Sequence, residues 1–463
     1  MKYQYLITAS LFLIIFGCKY TENIQDGATA YHLKKYTLAA ELLEKEFNKE
    51  AMADTKAKLA YQIAQCYQFN NQNAEAAQWY KTAIDWEYGS DAVYAYAHIL
   101  KKQEKYQEAI KQFQIYLQEE PYRRPEITTE INACENAIRW IKQQNDVYEQ
   151  DTYITNLKTI NSPNADFGPA YSAANKIAFT SSRTSAMGEL EDKWTGNKFY
   201  DIYQTEIFGF NQFSNPQPLS DIVNSKYNDG SVTFSSDFTE LIFTRCGSDD
   251  RKIDDYCYLY YSTLSPEGNW SYPVLIPFFE DSLNVGTACL SPDNQTLFFA
   301  AMGPDGAGGS DIYFSKRLFE GWDTPQNAGS LINTPGNEVF PTFGVDGTFY
   351  FSSDGHPGMG GLDIFSATYL NGKFSKVSNL QYPINSGADD FGMLHTFISD
   401  NPKADTLSMG YFSSDRKGGL GSDDLYLFVR TQKKLRPPVF VLKGAIMQKV
   451  YEDSNDVTSQ VID

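Results

Sequence analysis

The sequence predicts an α+β multidomain chain, an all-α helical solenoid followed by an all-β propeller of five blades. Three observations point there. Residues 25–145 carry a 3.6-residue apolar period in which small residues return at a fixed spacing. From residue 152 to residue 430 the period becomes 2 and aromatic residues crowd the chain. Across that second stretch an Asp-Ile-Tyr unit returns about every 50 residues, the length of a four-stranded blade.

At 463 residues the chain exceeds what one hydrophobic core supports, so more than one domain is expected. The net charge of −19 argues against a nucleic-acid-binding protein, which needs clustered Lys and Arg for phosphates, and against a basic surface for lipid headgroups. With 32 Tyr and 31 Phe the composition favours pleated, half-buried strands.

The first 18 residues stand apart from the fold. Lys2 precedes an apolar run, residues 5–16, that is shorter than the ~20 residues a spanning helix needs. The run ends in Ile15-Phe16-Gly17-Cys18, which resembles a bacterial lipobox. The resemblance implies that residues 1–18 end at an acylated cysteine, with Cys18 the new N-terminus of a tethered protein. The alternative is a plain secretory signal. Of the five other cysteines, none has zinc-ligand spacing. Cys246 and Cys257 flank a polar loop between two aromatic runs, which admits either a cross-strand disulfide or two free thiols at neighbouring strand ends.

In the helical stretch Gly27, Tyr36, Ala39 and Leu43 form one set. Ala64, Asn73, Ala76, Tyr80 and Ala83 form a second, and Ala97, Tyr106, Ala109, Phe113, Tyr116 and Pro121 a third. Gly27 and Ala39, Ala64 and Ala76, and Ala97 and Ala109 share one spacing, as expected where paired helices approach closely and an aromatic or Leu fills the next groove. These sets resemble the tetratricopeptide (TPR) repeat over residues 25–121, and residues 126–144 read as a capping helix. The resemblance implies a concave surface that holds a partner protein or peptide; a spacer or dimer surface is the other reading.

In the sheet stretch, three clear copies of a polar turn, an aromatic strand and a Gly/Asp loop end in Asp311-Ile312-Tyr313, Asp363-Ile364-Phe365 and Asp424-Leu425-Tyr426. Two diverged copies end in Asp201-Ile202-Tyr203 and Tyr258-Leu259-Tyr260, with Tyr258 standing where the others have Asp. A fourth element lies between copies, ending at Asn224, Asn284, Asn333 and Asn385. Residues 153–164 match that fourth element with no blade before them, and the fifth copy lacks one after it. The N-terminal strand therefore completes the last blade and closes a five-bladed ring. These blades resemble the TolB or WD-like propeller.

The Gly/Asp loops, such as residues 305–311 and 358–363, offer one or two carboxylates each where calcium wants six or more oxygens, so no metal is expected. Their Gly residues are expected to make turns and their Asp residues to accept local backbone N–H groups. His32, His98, His356 and His395 fall in no hydrolase or metalloprotease motif, and no carboxylate pair stands out. No catalytic residue, metal or cofactor is assigned, and the chain is expected not to be an enzyme.

Residues 431–438 read as a linker, and residues 439–463 resemble the start of a carboxypeptidase-regulatory-like β-sandwich. The order of parts resembles OmpA-family envelope lipoproteins of Bacteroidetes, including the PorE-like component of the type IX secretion system. The resemblance implies an outer-membrane lipoprotein on the periplasmic side, a scaffold or adaptor for envelope or secretion proteins. An OmpA-like domain is not found here, so peptidoglycan contact is not expected of this chain. The rival reading is a lipoprotein that captures a glycan or peptide in the propeller channel, with Trp194, Trp270 and Trp322 as candidate contacts. Trp270 and Trp322 fall at equivalent inter-blade positions, which favours packing for both.

Overall fold

A computed structural model describes residues 24–146, 150–187, 197–247, 256–279, 283–399, 404–432, 447–452 and 456–461. Its N-terminal part is built from α1 (Gly27–His32), α2 (Tyr36–Lys49), α3 (Ala53–Phe69), α4 (Asn73–Asp85), α5 (Ser90–Lys102), α6 (Tyr106–Glu119) and α7 (Arg124–Asp146). The spaced small residues mark the close approaches. Ala39, Ala64, Ala76, Ala97 and Ala109 are fully buried, and a Cβ on Gly27 would lie 2.5 Å from Leu43 Cγ.

The turns after α1, α3 and α5 are alike, which makes each pair antiparallel. Lys34, Asn71 and Glu104 hold φ of 55°, 54° and 60°, and the next N–H reaches five residues back, as in Lys35 to Ala30, Gln72 to Tyr67 and Lys105 to Leu100. That geometry satisfies the helix-end carbonyls that would otherwise lack donors. No helix among the described residues is long and apolar enough to cross a membrane.

The remainder is a five-bladed propeller. The inner strands are Asp166–Ala173, Asn228–Phe234, Val285–Leu290, Glu338–Phe343 and Asp390–Ile398. Each lies beside the inner strands of both neighbouring blades, the fifth beside the first. The second strands are Lys176–Ser181, Glu240–Cys246, Thr296–Ala301, Phe349–Ser353 and Thr406–Ser414. The third strands are Asp201–Gly209, Cys257–Thr263, Asp311–Lys316, Asp363–Leu370 and Asp424–Gln432. Blades 1 to 4 end in the outer strands Gln217–Pro218, Val274–Leu275, Gln326–Asn327 and Lys373–Asn379. In blade 5 the outer strand is Gln150–Asn156, paired antiparallel with the third strand from Gln150↔Gln432 to Asn156↔Tyr426. The N-terminal strand thus closes the ring, as its unpaired sequence copy predicts.

Each blade core repeats one aromatic pair. Phe179, Phe243, Phe299, Phe351 and Phe412 occupy the same place in the second strands, and all are fully buried. Their rings meet those of Tyr203, Tyr260, Tyr313, Phe365 and Tyr426 on the third strands at 5.7–6.4 Å. The fourth-element asparagines complete the sheet edge. The side chain of Asn224 accepts from Ile202 N–H and donates to Ile202 O, and Asn333, Asn385 and Asn161 do the same to Ile312, Ile364 and Leu425.

The helical part is seated on blades 4 and 5. Lys102 Nζ lies 3.1 and 3.2 Å from the two carboxylate oxygens of Asp389, and Glu104 Oε1 accepts from Gly387 N–H at 3.0 Å. Met359, from the Gly-rich loop of blade 4, is fully buried in the core of α5, α6 and α7. The proposed linker and the apolar run at 439–446 lie outside the described residues, apart from Thr431 and Gln432 at the end of blade 5; Met447–Glu452 and Asp456–Val461 form an antiparallel strand pair.

Candidate functional site

Two arrangements converge on the propeller axis: a set of buried ion clamps at the blade junctions, and a cavity in the channel. The clamps lie on the helical side. The acidic residue opening an inner strand is fully buried and meets an arginine from the second strand or the residues just after it: Asp166 with Arg183 at 2.6 Å, Asp229 with Arg245 at 2.5 Å, and Asp390 with Arg416 at 2.5 Å. Each guanidinium lies over its blade's aromatic pair, with Arg183 4.6 Å from the Tyr203 centroid and 5.3 Å from that of Phe179. Each also donates to the carbonyl before the fourth-element Asn, at Ile160, Val223 and Ile384. Burial pushes the three carboxyl pKa values up, against the opposing pull of the arginines.

Blade 4 substitutes histidine for this arginine. The His356 ring packs 5.6 Å from Phe351 and 5.1 Å from Phe365, and its Nε2–H donates to Ile332 O, the equivalent carbonyl, at 2.8 Å. The acid there is Glu338, bonded instead to Ser353 and Thr334. His356 is therefore a packing and hydrogen-bonding residue of the clamp.

The Asp residues of the Gly-rich loops accept backbone N–H groups of their own loops. Asp311 takes Ala307 at 2.6 Å, Asp363 takes Met359 at 2.7 Å and Gly360 at 3.2 Å, and Asp201 and Asp424 take Met187 and Leu420. Their chemistry is turn-fixing. Burial, with the charge of Asp390 next, pushes Asp363 up to about 8. Burial also raises Asp201 to about 7.

The channel narrows on the helical side, where Phe340 lies 4.6 Å from Phe391 and 6.2 Å from Phe167, ring centre to ring centre. Beyond these rings lies a cavity of about 290 Å³. It is bounded by all five inner strands, with Tyr171, Phe234, Leu290, Phe343 and Leu394 in its wall. The inner strands run away from the helical part, so the cavity opens on the opposite face, at the turns holding Ser236 and Asn294. The wall is shaped by a bulge repeated in every blade. Gly168, Ser231, Thr287, Phe340 and Gly392 hold φ of 66°, 49°, 45°, 51° and 64°, and each inner strand shifts register there. Three of these are not glycine, a conformation that side chains seldom adopt and that shared packing must hold.

Cys18 and Trp194 lie outside the described residues. Cys246 and Cys257 are register partners, and their sulfurs are bonded. Trp270 and Trp322 form matching bridges to Leu264 and Arg317, half-buried on the outer side of blades 2 and 3 and away from the channel. His98 is buried against Tyr94 and Phe113, and burial lowers its pKa to about 4. His395 lines the cavity, which sequence reasoning did not anticipate: its strand pattern looks like any other half-buried strand, and only ring closure brings five such strands together. The Lys102–Asp389 contact was likewise illegible, because it joins residues 287 apart.

No protein-family model matches the chain, and no curated protein matches it. Solved structures that share its propeller include a β-xylosidase at 12% identity and TM-score 0.37, covering 67% of this chain and 98% of that one. A glycoside hydrolase matches at 9% identity and TM-score 0.39, over 61% and 92% of the two chains. An endo-arabinase from Bacteroides thetaiotaomicron matches at 11% identity and TM-score 0.36, over 60% and 100%. The expectation that the chain is not an enzyme is corrected: these solved structures include glycoside hydrolases, and the lack of a familiar motif does not exclude catalysis. Likeness at this level bears on the fold alone and carries no substrate or activity to this chain.

Proposed function

We propose that this chain is a bacterial envelope lipoprotein, anchored through acylated Cys18, that serves as an adaptor. In this reading the helical part is a TPR-type solenoid that holds a partner protein, and the propeller is the platform that orients it. The observation that carries the reading is the seating of the α5–α6 turn on blades 4 and 5 through Lys102, Glu104 and Met359. A partner held on the helices is thereby held at a set position relative to the propeller. The recurrent turns at Lys34, Asn71 and Glu104, with the buried alanines, support the repeat assignment. The outer membrane, periplasmic face and secretion-system partners follow from the family resemblance and belong to the same proposal.

The test pairs labelling with purification. Cells expressing tagged wild-type protein or Cys18→Ala are fed radiolabelled palmitate, and detergent-solubilised envelopes are passed over the tag resin. Label on the wild type alone, with outer-membrane secretion proteins enriched and reduced in the variant, is the expected result. No label on the wild type would end the anchor proposal, and a preparation without protein partners would end the adaptor role.

A further inference from the structure

We infer that the channel cavity is a binding site for a small, uncharged, mainly apolar molecule that carries one hydrogen-bonding group, with His395 as its polar contact. Its volume of about 290 Å³ is near the lower end of small-molecule pockets. None of the described residues lining it is Lys, Arg, Asp or Glu, although the chain as a whole carries a net charge of −19. A charged ligand would lose its hydration there with no partner to replace it. Several wall hydroxyls are already engaged. Thr287 Oγ1 accepts from Phe340 N–H at 3.2 Å, and Thr342 Oγ1 donates to Met393 O at 2.6 Å. Ser235 and Ser291 donate to Asp237 and Asp293. A sugar, which needs a partner for each hydroxyl, is poorly served by such a wall.

His395 differs from these. It is 8% exposed, and its Nδ1 lies 2.8 Å from the Tyr350 hydroxyl, which holds the ring in place. Its Nε2 is buried and has no hydrogen-bond partner among the described residues. A buried polar atom left unpaired costs stability unless something completes it, and a ligand in the adjoining cavity would do so. The cavity opens on the face away from the helices, so this site is separate from the adaptor surface proposed above.

The test is titration calorimetry on the full chain with 1-naphthol, 1-naphthalenesulfonate and arabinose. A single site for 1-naphthol is expected, with the sulfonate about tenfold weaker or more and no heat from arabinose. His395→Phe should weaken 1-naphthol about tenfold, and Leu290→Trp, which fills the cavity, should abolish binding. If Leu290→Trp does not fold, the neutral and anionic pair together with His395→Phe still decides. No 1-naphthol binding, equal binding of the sulfonate, or unchanged binding in His395→Phe would overturn the proposal.

Discussion

Arg183, Arg245 and Arg416 show how one residue type solves a recurrent problem. The buried carboxylates at the mouths of blades 1, 2 and 5 each meet a cation, and a planar guanidinium can pair with the acid while lying flat on two aromatic rings. Where His356 takes the place, the aromatic stacking and the carbonyl contact survive while the acid turns to hydroxyl donors. Asp363 has no such cation bonded to it, and burial raises its pKa to about 8. The unfolded chain ionises this acid near its ordinary value, whereas the folded chain keeps it protonated until about pH 8. Folding therefore retains a proton across that window, and this contribution to stability is full below pH ~4 and lost as pH rises through about 8. The slope approaches 1.4 kcal/mol per pH unit. Urea unfolding at pH 6 and pH 8 should find the wild type less stable at the higher pH. Asp363→Asn, neutral at both, should show a smaller loss; an equal loss in both proteins would remove Asp363 as a source.

At the level of elements, the blades were legible because every strand repeats a local instruction. The buried Phe of the second strand and the aromatic partner opposite it fix the register, and a slip by one residue would turn both to solvent. The cysteine pair was legible only as two alternatives, because spacing does not say which residues face each other. In blade 2 the second and third strands place Cys246 opposite Cys257, and the bond closes a loop with sequence separation 11. Reduction should cost about 3 kcal/mol through the added freedom of the unfolded chain. Denatured protein should titrate two fewer thiols without reductant than with it, and urea midpoints with and without phosphine should differ. Identical thiol counts would show that the pair is free.

At the scale of the whole molecule, the docked helices make a prediction that neither part makes alone. The blade-5 loop passes so close to the α5–α6 turn that a Cβ on Gly387 would lie 2.6 Å from Lys102 O and 2.6 Å from Glu104 Cγ. Gly387→Val should therefore lift the turn off the propeller, break the Glu104 hydrogen bond and strand the Lys102–Asp389 pair. That pair is 20% and 18% exposed at its two side chains, so losing it leaves poorly solvated charge. Scanning calorimetry should show one transition for the wild type and two for the variant. One transition in Gly387→Val at an unchanged temperature would mean that the contact does not couple the parts.

Much of this protein was decided by sequence alone: helices where the apolar period is 3.6, blades where it is 2, five of them, and closure of the ring by the N-terminal strand. These follow from local periodicity and from the need to leave no open sheet edge, both visible along one chain. The cavity at His395, the arginine clamps and the seating of Lys102 on Asp389 belong to the tertiary structure. The cavity joins residues of all five blades, the Lys102–Asp389 pair joins residues 287 positions apart, and each clamp ties an Asp–Arg pair within one blade to a carbonyl of the element before it, so their meeting depends on how twisted sheets pack around an axis.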